Sequence, residues 1–363
     1  MSLKCGVVGL PNVGKSTIFK AITGAGAEIA NYPFCTIDPN QGQVIVPDER
    51  LDILTEIFKP KKTIPTTVEF SDIAGLVKGA SQGEGLGNQF LGHIKEVDAV
   101  CHIVRCFEDD NIVHVNGSVD PLRDIEVINM ELIFKDMETI GKRYSKYEKL
   151  IHQDEEAKTH FPVYKKVKEA LDQGVPVRKL DLDDNEKALI KDLALLTQKP
   201  VLYVANVSEN LLPHGGEKAK KVMEYAQQEK SAVIVISGKF ECELTDLPEE
   251  ERSAYLESVG LKIPGRYLLI KEVYSLLGLI TFLTAGEKEV RAWTVRKGTK
   301  APQAAGVIHT DFERGFIAAE VVKYKDLADC KSYAEAKNRG LLRLEGKTYE
   351  LEDGDVCVFR FNV

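Results

Sequence analysis

The chain has 363 residues, 44% hydrophobic and 29% charged, with a net charge of −8. That length allows two or three domains with ordinary cores, while the acidic balance excludes nucleic-acid binding by bulk charge, so RNA contact would need a local basic patch and DNA is not an expected partner. No apolar run reaches the ~20 residues that span a bilayer. The N-terminus runs from apolar residues straight into a glycine-rich motif and does not read as a signal peptide. The seven cysteines are scattered without a Cys-x-x-Cys pair, which points to a reduced, cytoplasmic protein with neither a disulfide framework nor a zinc site.

In chain order, "KCGVVG" (4–9) is a short apolar run ending in glycine, the pattern of a buried strand. Four more such runs follow: "TTVEFSDIAG" (66–75), "AVCHIVRCF" (99–107), "PVLYVANV" (200–207) and "AVIVISG" (232–238). Helix-like segments separate them, so the expected core is a mostly parallel sheet covered on both faces. Between Asp120 and Pro200 no strand is expected. There Met130, Ile133, Met137, Ile140, Tyr144, Tyr147 and Ile151 recur at alternating spacings of three and four, a heptad pattern. Tyr164, Val167 and Leu171 repeat that spacing in "FPVYKKVKEAL" (161–171), so an antiparallel helical hairpin inserted into the sheet domain is predicted. After residue 276 the pattern alternates like strands in "EVRAWTVRKG" (289–298) and "YELEDGDVCVFRFNV" (349–363), around a helical "YKDLADCKSYAEAKNRG" (324–340). This predicts a small α+β unit. The expected division is a nucleotide domain over 1–122 and 198–276, a helical insertion over 123–197, and a C-terminal domain over 277–363.

The motif at 9–16, "GLPNVGKS", fits G-x-x-x-x-G-K-[ST] between a strand and a helix. Gly9 and Gly14 let backbone N–H groups curl around phosphates, and the run Asn12, Val13, Gly14, Lys15, Ser16 and Thr17 is the expected phosphate cradle. Lys15 sets a point charge against the β- and γ-oxygens, and Ser16 offers its hydroxyl to Mg²⁺ at a helix N-terminus. Asp72 and Gly75, from Asp-Ile-Ala-Gly, place a carboxylate beside that metal and an N–H against the γ-phosphate. Thr36 lies between the two motifs and is the candidate switch threonine on Mg²⁺.

Where many GTPases carry a glutamine to orient water, Leu76 stands here, ahead of a glycine-rich stretch that suits an ordering switch. Intrinsic hydrolysis is therefore expected to be slow unless another group assists. His93, His102 and His114 are near enough to consider. His102 reads better as a core residue inside a strand, and His114 follows a strand's C-terminal end, where ligands of open α/β sheets gather.

The loop after 201–205 is Asn206-Val207-Ser208-Glu209, at the place of an Asn-Lys-x-Asp guanine reader. Lysine is replaced by a short apolar contact, and glutamate cannot put its carboxylate where aspartate would. Asn206 can still reach the N6/N7 side of a purine. Losing the bidentate contact to guanine forfeits about 1–3 kcal/mol, which removes the reason for GTP preference. Ser237-Gly238-Lys239 is either a base-contacting loop or a strand-to-helix turn.

The segments "GLPNVGKST", "NYPFCTIDPN", "DIAGLVKGASQGEGLGNQFL", "NVSE" and "HTDFERGFIAAEV…DGDVCVFRFNV" together resemble the Obg-like ATPase (YchF) subfamily of P-loop NTPases. The resemblance implies an α/β fold: a Ras-like P-loop nucleotide domain, an inserted α-helical coiled-coil hairpin, and a C-terminal TGS domain of β-grasp shape. It implies an enzyme that prefers ATP to GTP and hydrolyses it slowly, associates with the ribosome (large subunit or 70S), and acts in translation or stress responses. It points to His114 as the catalytic group beside Lys15, and to Asn12 as a feature tied to activation by K⁺. Two other functions fit the same residues, a nucleotide-gated RNA- or ribosome-binding module with incidental hydrolysis and an Obg-type GTPase. The basic runs 142–149 and 164–170, with interleaved tyrosines, and the group Arg291, Trp293, Arg296, Lys297 and Lys300 are either partner surfaces or solvated faces.

Overall fold

The computed structural model describes residues 3–24, 41–73 and 86–362. Contacts divide the chain into two compact units, Met1–Gln43 with Glu69–Val273 and Val44–Val68 with Tyr274–Val363.

The first unit is built on strands β1 (Lys4–Val8), β2 (Gln41–Ile45), β4 (Thr67–Asp72), β5 (Ala99–Arg105), β6 (Val201–Asn206) and β7 (Ala232–Ile236), in the order β2-β4-β1-β5-β6-β7; β3 belongs to the second unit. Strand β1 pairs in parallel with β4 and β5, and β5–β6 and β6–β7 are also parallel. Strands β5 and β6 are buried along their whole length, as their unbroken apolar runs require. Helices α1 (Lys15–Gly24), α3 (Leu86–Glu96), α7 (Gly216–Glu229) and α8 (Gly238–Asp246) follow the strands. The strand order reverses at β1, so the crevice beyond the carboxyl ends of β1 and β5 is where a ligand is expected.

The hairpin is α4 (Pro121–Leu150) and α5 (Glu155–Asp172), joined by four residues. Asp120 and Asp154 cap their N-termini by accepting backbone N–H bonds. The predicted stripe is the seam: Ile133, Ile140, Tyr147, Tyr164, Val167 and Leu171 share one buried cluster, with Met137 packed against it. Met130, first in the stripe, is instead exposed. The chain then returns through short helical turns and the residues between them, of which Leu182, Ile190, Leu193 and Leu195 close the same cluster.

The second unit is a sheet of order β11-β10-β12-β8-β9-β3, with β3 (Thr63–Ile64), β8 (Leu279–Ala285), β9 (Val290–Arg296), β10 (Phe316–Lys323), β11 (Arg343–Glu345) and β12 (Asp355–Phe361). Neighbouring residues on one strand join different cores: Phe282 against Leu283, Val321 against Val322, Cys357 against Val356. A period of two means the sheet is covered on both faces. Ala301, Ala304 and Ala305 of α11 (Ala301–Ile308) cover one face, and Leu51 and Leu54 of α2 (Glu49–Phe58) cover the other with Leu327 of α13 (Tyr324–Cys330). Segment Val44–Val68, inside the 1–122 expected for the nucleotide domain, thus groups with the C-terminal sheet. Its helix buries Leu54 completely there, and its strand β3 extends the edge at β9.

No helix among the described residues is long and apolar enough to cross a membrane. The tyrosines expected to alternate with basic residues turn inward: Tyr147 and Tyr164 are buried edge to face, and Tyr144 packs on Phe161. Lys165, Lys166 and Lys168 pair with Glu169, Glu186 and Asp172. Trp293 lies under the Arg291 guanidinium, 3.8 Å from its ring centroid, and stacks on Phe282. The buried rings of Tyr147 and Tyr164 thus belong to the seam, and the lysines of 164–170 are paired with acids.

Candidate functional site

The loop between β1 and α1 makes the floor of a cleft of about 890 Å³, lined by Leu10, Asn12, Gly14, Lys15, Ser16 and Thr17 on one side and by residues following β5, β6 and β7 on the others. That size suits a nucleotide-sized ligand. Gly14 has φ +88°, and a Cβ there would lie 2.2 Å from the Asn206 amide nitrogen, so only glycine fits. A Cβ on Gly9 would lie 2.8 Å from the Ile103 carbonyl oxygen. Asn12 is also left-handed, at φ 62°. The Gly14 carbonyl accepts from Ile18 N–H at 3.0 Å and starts helix α1, leaving Ser16 and Thr17 exposed at its positive end. Val13 is buried beneath the turn.

The Lys15 ammonium is paired with the Asp72 carboxylate at the end of β4, both side chains mostly buried. Ser16 in the cleft lining, and Asp72 on the adjoining Lys15, offer hard oxygen donors, which suits Mg²⁺. No cluster of three His, Cys, Asp or Glu side chains is present among the described residues, so a metal here would take its remaining ligands from water and phosphate. Thr36 and Gly75, and with them Leu76, lie outside the described residues.

Asn206, the last residue of β6, is 4% exposed and acts as a brace. Its Nδ2 donates to the Val13 carbonyl at 2.8 Å, and its Oδ1 accepts from Gly238 N–H at 3.0 Å. One amide hydrogen remains for a purine acceptor. Its oxygen also keeps a second lone pair beyond the bond from Gly238, so the expected reach to the N6/N7 side of a purine stays open. Val207 is buried, held by a bond from its N–H to the Ile236 carbonyl. Glu209 is exposed in a one-turn helix, Glu209–Leu211, at the cleft wall. Ser237 also lines the cleft, while its Oγ caps α8 by accepting from Phe240 N–H. The strand-to-helix turn is thus present, in a loop that also faces the cleft.

The remaining wall comes from the loop after β5, with Phe107, Asp109 and Ile112 in the cleft lining. Arg105, invisible as a functional residue in "AVCHIVRCF", organises it. Its guanidinium is 2% exposed and donates to four backbone carbonyls: Phe107 at 3.2 Å, Ile112 at 3.0 Å, and Asp109 and Asn12 at 3.4 Å each. The Asn12 side chain adds a bond to the Val113 carbonyl at 3.0 Å. The phosphate loop and the β5 loop are thereby fastened together. The only available signal was a cation inside an apolar strand.

His102, on the same strand, is a core residue as expected. It is 3% exposed and lies against Tyr203. Burial, helped by the Arg178 guanidinium, pushes its imidazole down to about 3. His114 is 6% exposed and does not line the cleft. Its Nε2 is 2.8 Å from Asp124 Oδ2, and its Nδ1 accepts from Asn116 N–H at 3.1 Å. In this arrangement neither nitrogen is free to hold a water.

Two family models match the chain, one described as "50S ribosome-binding GTPase" over residues 4–140 and the YchF-GTPase C-terminal model, described as "Protein of unknown function (DUF933)", over 279–362. The chain is 58% identical to "Ribosome-binding ATPase YchF" of Bacillus subtilis and 50% identical to the protein of that name from Escherichia coli O157:H7, covering 100% of both chains in each case. Among solved structures it is similar to the Schizosaccharomyces pombe YchF GTPase, with a TM-score of 0.89 and 42% identity over 99% of this chain and 98% of that one. Together these bear out an α/β chain with a P-loop domain and a distinct C-terminal domain. The names disagree on the base, one kind saying ATPase and another GTPase.

Proposed function

The chain belongs to the YchF family of P-loop nucleoside-triphosphate hydrolases, and on that premise we propose that it is a cytoplasmic, ribosome-associated ATPase. It takes ATP in preference to GTP, cleaves it slowly to ADP and phosphate, and uses the bound nucleotide as a switch in translation or the stress response. The carrying observation is the base wall of the cleft. Val207 is buried where a lysine stem would lie, and Glu209 stands exposed in a helical turn in place of a fixed aspartate. On that wall no aspartate is fixed as the paired acceptor for guanine, and the longer Glu209 cannot put its carboxylate in the same place without a shift.

The residues divide the work by position. A triphosphate competes with Asp72 for the Lys15 ammonium, and so frees the carboxylate for the metal end of the cleft. Ser16, Asp72 and Thr36 would hold Mg²⁺, which when bound neutralises charge on the phosphate oxygens. By its motif position Gly75 N–H would meet the γ-phosphate, and the amides of Val13 to Thr17 would wrap the others. Asn12 supplies an oxygen to K⁺ as activator, on the side away from its bond to Val113. His114 polarises the attacking water once the Asn116 N–H no longer caps its Nδ1.

That sequestered imidazole favours one second reading, a nucleotide-gated ribosome-binding module in which hydrolysis is incidental. His114→Ala protein decides between them. The ATPase reading expects kcat to fall by about 10²-fold and ribosome co-sedimentation to lose its dependence on ATP turnover. Unchanged turnover by this variant contradicts the role given to His114.

A further inference from the structure

The first turn of α4 holds an acid that the site as described does not use. Asp124 is 2% exposed, with Oδ2 at 2.8 Å from His114 Nε2 and Oδ1 at 3.5 Å from an Arg123 guanidinium nitrogen. A buried carboxylate is costly unless hydrogen-bonded, and its short contact is the imidazole. On the ring's other side a backbone amide, Asn116 N–H, points at Nδ1 at 3.1 Å. An amide N–H can only donate, so Nδ1 presents a lone pair and the ring hydrogen is on Nε2, facing the carboxylate. Protonating Nδ1 as well would set two donors against each other.

We infer that Asp124 is a positioning residue for His114: it fixes the Nε2–H tautomer, makes Nδ1 the basic nitrogen, and leaves that nitrogen capped by Asn116 N–H until the turn over residues 114–117 opens. This rests on the reading that His114 acts on water. Besides the Asn116 donor, the turn is closed by one backbone bond, Gly117 N–H to the His114 carbonyl at 3.0 Å, and Gly117 has φ +80° with nothing within 4 Å of a Cβ position. Val113 and Val115, 75% and 49% exposed, flank the buried ring. The turn therefore has little packing to hold it shut, whereas the Asp124 side is fully enclosed. Opening removes only the Asn116 donor. Nδ1 then accepts a proton from water, Nε2–H stays on Asp124, and the resulting imidazolium is compensated by the carboxylate.

The test is imidazole ¹⁵N spectroscopy of the full-length, histidine-labelled protein, with the His114 signals assigned by their loss in His114→Gln. The expected wild-type signature is a protonated Nε2 and an unprotonated Nδ1. Asp124→Asn keeps the volume but can turn its amide toward the ring, so it should mix the tautomers and lower kcat for ATP by at least about tenfold, with KM held within about twofold. A wild-type ring protonated at Nδ1 overturns the proposal without any Asp124 variant. So does an Asp124→Asn enzyme with normal kcat when His114→Ala is impaired. If His114→Ala turns over normally while the tautomer is as stated, the reading of His114 has failed and Asp124's catalytic role falls with it, whereas its hold on the ring stands.

Discussion

The loops after β1 and β5 occupy equivalent places, at the carboxyl ends of adjacent parallel strands beside the point where the sheet order reverses. They are held in opposite ways. The phosphate loop is shaped by its own backbone, with left-handed Asn12 and Gly14 and the start of α1. The β5 loop is shaped by side chains from beneath: Arg105 gathers its carbonyls, and Asp124 holds its histidine. A loop built from backbone conformation announces itself in sequence. A loop built around a buried cation does not, because the cation's partners are carbonyls that every residue possesses.

Breaking the first loop should cost most. Lys15→Ala removes the phosphate counter-charge and should lower ATP turnover by about 10³-fold, measured as phosphate release; a variant with wild-type rate contradicts the assignment. Breaking the second should cost stability before chemistry. Arg105→Gln strands four carbonyls and should destabilise the protein by about 3 kcal/mol, read by urea denaturation. Faster amide exchange over 109–113 should accompany it, and unchanged exchange there would show that the guanidinium is not the fastener. At the base wall, the pair Val207→Lys and Glu209→Asp rebuilds the guanine reader and should move relative affinity toward GTP by about 1–3 kcal/mol, measured by competition. No movement would place base selection elsewhere.

The smallest effect compares two basic residues on one strand. Arg105 is satisfied by four carbonyls, while His102 is held neutral by burial, its imidazole pushed from an ordinary 6.5 down to about 3. Between those values the unfolded chain binds a proton that the folded one refuses, so stability falls as pH drops below 6.5. The loss should be on the order of 1 kcal/mol by pH 5.5. His102→Gln should flatten that part of the curve, and an unaltered slope would mean that His102 does not cause it.

The legible parts of the molecule share one property, that their chemistry is local. Gly9 to Thr17 could be assigned because spacing alone defines a phosphate cradle, and the hairpin because Ile133, Ile140 and Tyr147 repeat along one helix face. Helix α2 shows the limit. Leu51 and Leu54 reveal an apolar face, but not that the core receiving it is made by Leu283, Val290 and Val322, more than two hundred residues away in the chain. The same holds for Tyr147 and Tyr164, whose basic neighbours suggested an RNA surface although their rings form the hairpin seam. Asn206 lines the cleft, but its bonds to Val13 and Gly238 depend on two other loops and could not be read from the sequence. Asp124 is an ordinary first-turn acid until the fold brings His114 to it.

The account depends most on a triphosphate cleft whose base wall has lost the acceptor for guanine. Calorimetric titration of the purified full-length protein with non-hydrolysable ATP and GTP analogues, in Mg²⁺ with and without K⁺, tests that directly. The adenine nucleotide should bind more tightly. Tighter binding of the guanine nucleotide, or heat from neither, would contradict it.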